Sequence, residues 1–269
     1  MSENSPLLFL KLGGSLITDK NSPSTALPER IVQLASEIAE FKTQNPHTRL
    51  VLGHGSGSFG HVAGKKYGTR QGVHTPEEWR GFAEVWRQAK NLNQIVANAL
   101  HAAGLPAIVF PAVSSAAVED GQITHWDVAP IQNALENGLL PVVHGDVAFD
   151  SVRGGTIVST EDIFKYLAAH LHPEKVLIAG IEDGVWADYP TCTRLIEHIT
   201  PANLDEILPS LGGSAATDVT GGMSSKVREM LALAELVPGL EVNIFPALEP
   251  GSLLAALSGA LTGTRISAN

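Results

Sequence analysis

The stretch Arg49–Tyr67, RLVLGHGSGSFGHVAGKKY, decides how the chain is read. Leu50-Val51-Leu52 is a short apolar run that stops at Gly53-His54-Gly55-Ser56-Gly57-Ser58, and a helix-compatible segment follows from about Phe59 to Tyr67. The order is buried strand, glycine-rich turn, helix start. Glycines without a Cβ let backbone approach a ligand closely. The first amides of a helix have no intrahelical partner and point outward at an anion. His61 falls in the first turn of the helix so placed. The stretch is a candidate phosphate cradle, and the remaining chain can be asked for what phosphate chemistry needs.

Upstream, Leu7-Leu8-Phe9-Leu10-Lys11-Leu12 is a second buried strand, and it too ends in a glycine turn, Gly13-Gly14-Ser15. Asp19–Leu27 is polar, carries Pro23 and reads as a loop; Pro28 then opens a helix with Ile31, Leu34, Ala35, Ile38 and Phe41 at helical spacing. Downstream, an amphipathic helix runs from about Pro76 to Ala103, with Thr75 as its N-cap and Gly104 as its stop. Strands are expected at 106–110, 139–143, 175–179, 242–245 and near 265–266, and a hairpin at 147–158 with Arg153-Gly154-Gly155 in or near its turn. Glu119-Asp120-Gly121 marks another tight turn. Helices are expected at 128–137, from Ser159 or Thr160 to about 171, near 204–210, at 224–236 and at 252–258. Strands and helices alternate without internal repeat or linker, which predicts an α/β fold with a mainly parallel sheet and helices on both faces. Ligands in such sheets bind at the carboxyl ends of the strands. The turns after 7–12, 49–53 and 139–143 all fall on that edge.

Composition sets the boundaries of function. The chain has 269 residues, with 44% hydrophobic and 17% charged residues, enough for a large core and far from the disordered class. Its net charge is −10, and the acidic excess is diffuse, which argues against a nucleic-acid surface. An anionic ligand must therefore be drawn by a few placed lysines. The single Cys192 excludes an internal disulfide and fits a reducing compartment. No apolar run approaches a membrane span, and Met1–Ser5 lacks the basic start and apolar stretch of a secretory signal, so the expected location is cytoplasmic.

Gly55-Ser56-Gly57-Ser58-Phe59-Gly60 matches G-x-G-x-x-G, yet the acidic residue a dinucleotide site wants at the next strand end is missing: Glu77 and Glu78 sit at a helix start. Gly64-Lys65-Lys66 lacks the earlier glycine and following hydroxyl of a Walker A loop. What fits is lysines beside glycine turns: Lys11 before Gly13-Gly14, Lys20 in the next loop, and Lys226 after Gly221-Gly222 at a helix start. Phosphoryl transfer needs positioning and neutralisation of charge spreading over the transferred group. A phosphate acceptor is already ionised near neutral pH and needs no carboxylate base.

Lys11-Leu12-Gly13-Gly14-Ser15 with Lys20, the glycine turn at 53–60, and Asp218-Val219-Thr220-Gly221-Gly222-Met223 with Lys226 together resemble the amino acid kinase family. Gly55 to His61 and His144-Gly145-Asp146 resemble its isopentenyl phosphate kinase branch. The resemblance covers Leu8 to about Ile266. It implies one domain over 1–269, a three-layer αβα open sandwich, with an acceptor-binding part at about 1–175 and a nucleotide-binding part at about 176–269. It also implies a homodimer that transfers the ATP γ-phosphate to an isoprenoid monophosphate, isopentenyl phosphate, with Mg2+ held mainly by the nucleotide. By position, Lys11, Gly13, Gly14 and Ser15 would line the ATP phosphates, with Gly57, Asp183 and Gly222 also on the ATP side. Lys20 and Lys226 would stabilise the transferring group; Gly55, Ser56 and Gly145 would hold the acceptor phosphate, and His61 would hydrogen-bond it. Three positions depart from the family pattern. Ser56 replaces a middle glycine, Ser159-Thr160-Glu161-Asp162 replaces Ser-Gly-Asp-Asp, and Phe245-Pro246 stands for an Asn-Gly. The carboxylate ordering the lysines would then be Glu161, with Asp162 as the alternative.

Each residue also has a plainer reading. Lys11 and Lys20 read singly as solvated lysines, and Glu161 and Asp162 as acids complementing a helix dipole. Asp146 and Asp183 are turn formers as well as candidates. His54 and His144 follow strands and read as packing residues, and Trp79, Phe82 and Trp86 read as core unless one walls an acceptor tail. Two other functions stay open. One is a kinase of the same fold acting on a phosphonate, a nucleoside monophosphate or a carboxylate; the other is a nucleotide-binding regulator without catalysis.

Overall fold

Strand β1 (Leu7–Leu12) is buried along its whole length, and successive strand side chains point to opposite faces. Leu7 and Phe9 enter one hydrophobic core, while Leu8, Leu10 and Leu12 enter another. A strand apolar on both faces belongs in the middle of a sheet covered on both sides. Lys11 has the parity of Leu7 and Phe9, so the pattern that builds the core also decides which layer receives the lysine.

The computed structural model describes residues 5–211, 222–260 and 262–269. After β1 come a single turn, α1 (Gly14–Ile17), then α2 (Pro28–Gln44), β2 (Arg49–His54), α3 (Gly57–Tyr67), α4 (Pro76–Ala102) and β3 (Ala107–Val109). The middle of the chain forms β4 (Ala116–Glu119), β5 (Gln122–Trp126), α5 (Ala129–Glu136), β6 (Leu140–His144), β7 (Asp146–Asp150), β8 (Gly154–Val158) and α6 (Thr160–Leu171). From β9 (Lys175–Gly180) it passes through β10 (Val185–Trp186), β11 (Leu195–Ile196) and β12 (His198–Ile199) to α7 (Pro201–Ile207). It then forms α8 (Gly222–Leu236), β13 (Glu241–Pro246), α9 (Ser252–Leu257) and β14 (Thr264–Ser267).

The main sheet has eight strands in the order β12-β14-β13-β9-β1-β2-β6-β3, parallel throughout except for β13–β14. One face is covered by Ile131 of α5, Phe164 and Leu167 of α6, and Val227 and Met230 of α8. The other is covered by Leu34 and Ile38 of α2, Leu92 and Val96 of α4, and Leu253 of α9. This is the three-layer αβα sandwich around a mainly parallel sheet that the alternation of elements predicts. A separate four-stranded sheet, β5-β4-β7-β8, carries the hairpin at 147–158 and delivers the chain from β8 into α6.

Element boundaries differ where local chemistry outruns hydrophobic spacing. Helix α3 starts at Gly57 rather than Phe59, because the Ser56 carbonyl already accepts from the Phe59 amide (3.0 Å). His61 is therefore its fifth residue and lies in the second turn, not the first. Helix α7 starts at Pro201 rather than near 204, since Asn203 Oδ1 accepts from the Thr200 amide (2.8 Å) and Pro201 occupies the first position. The two-residue strands β10, β11 and β12 are too short to leave a periodic signal. Gly212-Gly213-Ser214 and Asp218 to Gly221 lie outside the described residues.

The carboxyl edge is assembled by register. Leu12 lies opposite His54, and His54 opposite His144, which brings the turns at 13–15, 55–58 and 145 side by side. Gly14 is pressed against its neighbour: a Cβ there would lie 2.4 Å from Gly57 N and 2.6 Å from Gly57 Cα. Both contacts are backbone, so neither can swing aside. We expect Gly14→Ala to force the two turns apart and cost about 1–3 kcal/mol of stability, the range for overpacking. Urea denaturation measures that loss, and phosphoryl-transfer activity should fall more steeply than stability.

Candidate active site

A cleft of about 1250 Å³ opens along this edge. Its floor is the meeting of two strand–turn–helix units. Gly13 N–H donates to Ala179 O (2.8 Å), tying the first turn to β9. The Thr18 hydroxyl donates to Gly14 O (2.7 Å) and accepts from Ser58 N–H (3.0 Å), pinning α1 to the start of α3. Gly57 takes φ +49°, the left-handed region that favours glycine.

Lys11, Gly13, Gly14, Ser15, Lys20, Gly55, Ser56, Gly57, Gly145, Glu161, Gly222 and Lys226 all line the cleft. Lys11 is only 7% exposed, and its Nζ pairs with Glu161 Oε1. Burial by itself would push the Glu161 carboxyl up, but the Lys11 and Lys226 ammonium groups and the Lys11 hydrogen bond outweigh it and hold the group below the ordinary carboxylate range. Glu161 is thus the carboxylate that faces the lysines. Lys20 is exposed on its loop and lines the same cleft.

Asp162 is placed differently from Glu161. It occupies the third position of α6, where its Oδ2 accepts from the Ser159 amide (2.7 Å) and hydroxyl (2.8 Å) in a capping box. The same carboxylate pairs with Arg70 Nη2 at 3.3 Å. It lines a separate side pocket of about 310 Å³ with Glu161 and Glu229, not the cleft. Asp183 is exposed and outside the cleft lining, although its neighbours Glu182 and Gly184 belong to it. The His61 side chain lies outside what the structure describes.

Ser56 settles into the cradle by donating its hydroxyl to Gly145 O at 3.2 Å. Asp146, beside it, is 1% exposed. Burial pushes its carboxyl up to about 7, against the pull of the Val147 and Val113 amides that donate to it.

Several lining residues were not singled out from sequence. Val62, Val85 and Ile157 give one end of the cleft an apolar wall, and Lys65, Lys66 and Arg70 line it too. Trp186, Tyr189, Leu211 and Ile244 line the opposite end. The aromatic residues of α4 do not enter: Trp79 and Phe82 pack on Phe149 with centroids 5.9 and 5.3 Å away, and Trp86 lies under Lys90. Helical parity links Val85 to Phe82, but parity could not say which turn of α4 faces the cleft.

A mainly parallel sheet with paired glycine turns and lysines in a cleft at its carboxyl edge fits a phosphotransferase acting on small molecules. The model of the amino acid kinase family matches residues 6–244. An isopentenyl phosphate kinase of Methanothermobacter thermautotrophicus is 37% identical over 97% of this chain and 98% of that protein. One from Methanocaldococcus jannaschii is 33% identical over 97% and 98%. A solved isopentenyl phosphate kinase structure superposes with a TM-score of 0.81 at 33% identity, covering 97% of this chain and 100% of that one. The chain belongs to the amino acid kinase family, in its isopentenyl phosphate kinase branch.

The buried Asp146 supplies a pH signature. A carboxyl whose folded pKa is raised contributes stability that is full below its unfolded value near 4 and is lost as pH rises through about 7. Asp146→Asn has no such loss, so its melting temperature relative to the parent should climb between pH 5 and 8. Parallel melting curves across that range check the sign; a constant difference would contradict it.

Proposed function

We propose that this chain transfers the γ-phosphoryl group of ATP to isopentenyl phosphate by direct in-line displacement, giving isopentenyl diphosphate and ADP. The observation that carries the reading is the contact of two glycine turns, one beside Lys11 and one opening α3, on the floor of a single cleft. Two phosphate cradles in backbone contact hold two phosphate groups within reacting distance, which is most of what this chemistry asks of a protein.

In this reading the first turn, Gly13-Gly14-Ser15, takes the ATP phosphates, and the purine lies toward the apolar end at Trp186, Tyr189 and Ile244. Gly57 and Gly222 border the nucleotide. Gly55, Ser56 and Gly145 form the acceptor side, with His61 as its hydrogen-bond donor, and Val62, Val85 and Ile157 receive the five-carbon tail. The acceptor part is then built mainly from about 1–175 and the nucleotide part from about 176–269, around one continuous sheet. The homodimer implied by the resemblance belongs to the same proposal.

An oxygen of the acceptor phosphate attacks the γ-phosphorus as the bond to the β,γ-bridging oxygen breaks and ADP departs. The acceptor is already an anion, so Glu161 has no proton to take; it orders Lys11 and Lys226. Lys11, Lys20 and Lys226 neutralise charge that spreads over the equatorial oxygens in the transition state. Among the described residues no group of three or more His, Cys, Asp or Glu side chains could hold a metal ion. In this reading the Mg2+ is carried by the nucleotide phosphates.

ADP release measured across isopentenyl phosphate, dimethylallyl phosphate, uridine monophosphate, fosfomycin and glutamate tests the assignment. We expect the isoprenoid phosphates to lead; turnover only on glutamate, or on none, would overturn it. Lys226→Met should lower kcat by about 100- to 1000-fold, the scale for losing one transition-state donor, with ATP KM shifted far less. A KM effect without a kcat effect would remove Lys226 from the transferring group.

A further inference from the structure

Two histidines that the reaction does not use lie directly beneath the cradle. His54 ends β2 and His144 ends β6, and the two are register partners. By strand parity both point away from Lys11 and Glu161, toward the face covered by α4. They are 1% and 3% exposed, with ring centroids 5.3 Å apart and planes at 16°. Their neighbours of the same parity, Leu50, Leu52, Leu140 and Val142, are core aliphatics. An aliphatic side chain would complete that layer without the cost of burying ring nitrogens.

The nitrogens are used in the same way twice. His54 Nδ1 lies 3.1 Å from Gly55 O, and His144 Nδ1 lies 3.0 Å from Gly145 O. A carbonyl oxygen only accepts, so Nδ1 carries the proton in both rings. Burial lowers the pKa of both rings, with the neighbouring His144 ring and then Lys11 adding to the effect at His54 and the hydrogen bonds to Asn93 and the glycine carbonyls opposing it, so the balance favours the neutral form. Nε2 is then bare. The Asn93 atom 3.0 Å from His54 Nε2 is the amide oxygen Oδ1, so the neutral Nδ1–H ring requires the Asn93 amide to be turned about, with its NH2 donating to Nε2.

The consequence reaches the cleft through the peptide plane. In a trans peptide the carbonyl and the following N–H point in opposite directions. A Gly55 carbonyl held inward by His54 therefore turns the Ser56 N–H outward. The neighbouring amides have other uses: Gly55 N–H donates to Leu12 O (3.0 Å) and Gly145 N–H to His54 O (3.4 Å). Gly145 O accepts from His144 and also from the Ser56 hydroxyl, so the histidine layer fixes both turns at once.

We propose that His54 and His144 form a paired positioning device for the acceptor cradle. Each donates Nδ1–H to the carbonyl of the glycine after it, and together they aim the Ser56 amide at the acceptor phosphate. This rests on the reading of that cradle as the acceptor side.

Histidine 15N shifts of the full-length protein at pH 7 test the first half. Both rings should show the neutral Nδ1–H tautomer; an Nε2–H tautomer or an imidazolium in either ring would overturn the proposal, without any variant having to fold. His144→Phe and His144→Asn test the second half. Phenylalanine keeps the bulk and loses the donor, whereas asparagine places an N–H near the Nδ1 position. We expect His144→Phe to raise KM for isopentenyl phosphate at least tenfold with ATP KM within twofold, and His144→Asn to recover most of the loss. Equal KM values in both variants and the parent would overturn the positioning role. A rise confined to ATP KM and recovered by asparagine would keep the positioning role and overturn the acceptor reading beneath it.

Discussion

The close approach of Gly14 to Gly57 is the constraint on which the site depends. The two turns meet backbone to backbone, at a distance that leaves no room for a Cβ on Gly14. Parallel pairing of β1 with β2 brings them to one edge, the Thr18 hydroxyl bridges them, and Gly13 is tied to β9. The starts of α1 and α3 are thus held against each other on the floor of one cleft. A transfer between two phosphates has to overcome the repulsion of two polyanions, and a site fixed in advance does so without reorganising when the reaction occurs.

The second requirement is positive charge inside a chain whose net charge is −10. Sheet parity sends Lys11 into the layer of α6 and α8, where Glu161 meets it and Lys226 lies near. A buried ion pair is weak evidence for stability, since desolvation offsets much of the attraction. Here its effect is to fix a nearly enclosed ammonium in place. The first turn of α6 explains why the adjacent acid does not share the task. Successive helical residues diverge by about 100°, and Asp162, at the third position, is folded back onto the Ser159 cap and drawn to Arg70. Glu161, at the second position, is left to reach inward, and its extra methylene gives it the length to do so.

The parts of this molecule that could be read from sequence are those governed by short-range rules. β1 and α4 have the bounds their periodicity predicts to within a residue, α2 starts at Pro28 as expected, and the Thr75 and Ser159 caps are where local hydrogen-bonding chemistry places them. Glycine turns after strands located the cleft edge. The lining of the cleft was less legible because it is chosen by tertiary packing. Trp79 and Phe82 look like candidate walls, but Phe149 from β7 claims them, and Val85, an unremarkable position in the same helix, faces the cleft instead. Glu182 and Gly184, not Asp183, border the cleft because a bend between β9 and β10 sets their direction, and two-residue strands carry no pattern to reveal it. Arg70 lies in the turn after α3, and only the fold brings it beside Asp162.

Ser56 shows how a departure from a glycine pattern can be accommodated. A side chain in the middle of an anion cradle would crowd the ligand if it pointed into the cleft. Ser56 adopts ordinary right-handed torsions, φ −80° and ψ −15°, so no strain opposes a Cβ there. Its hydroxyl does not cap α3; it turns instead to Gly145 O, the carbonyl that His144 holds from below. The oxygen fills the gap between the β2–α3 and β6–β7 turns. The backbone amide is one that any residue but proline would offer. A serine also leaves the unfolded chain fewer conformations than a glycine does. The serine therefore adds a cross-link between two turns and removes flexibility from the loop, while the backbone N–H is kept.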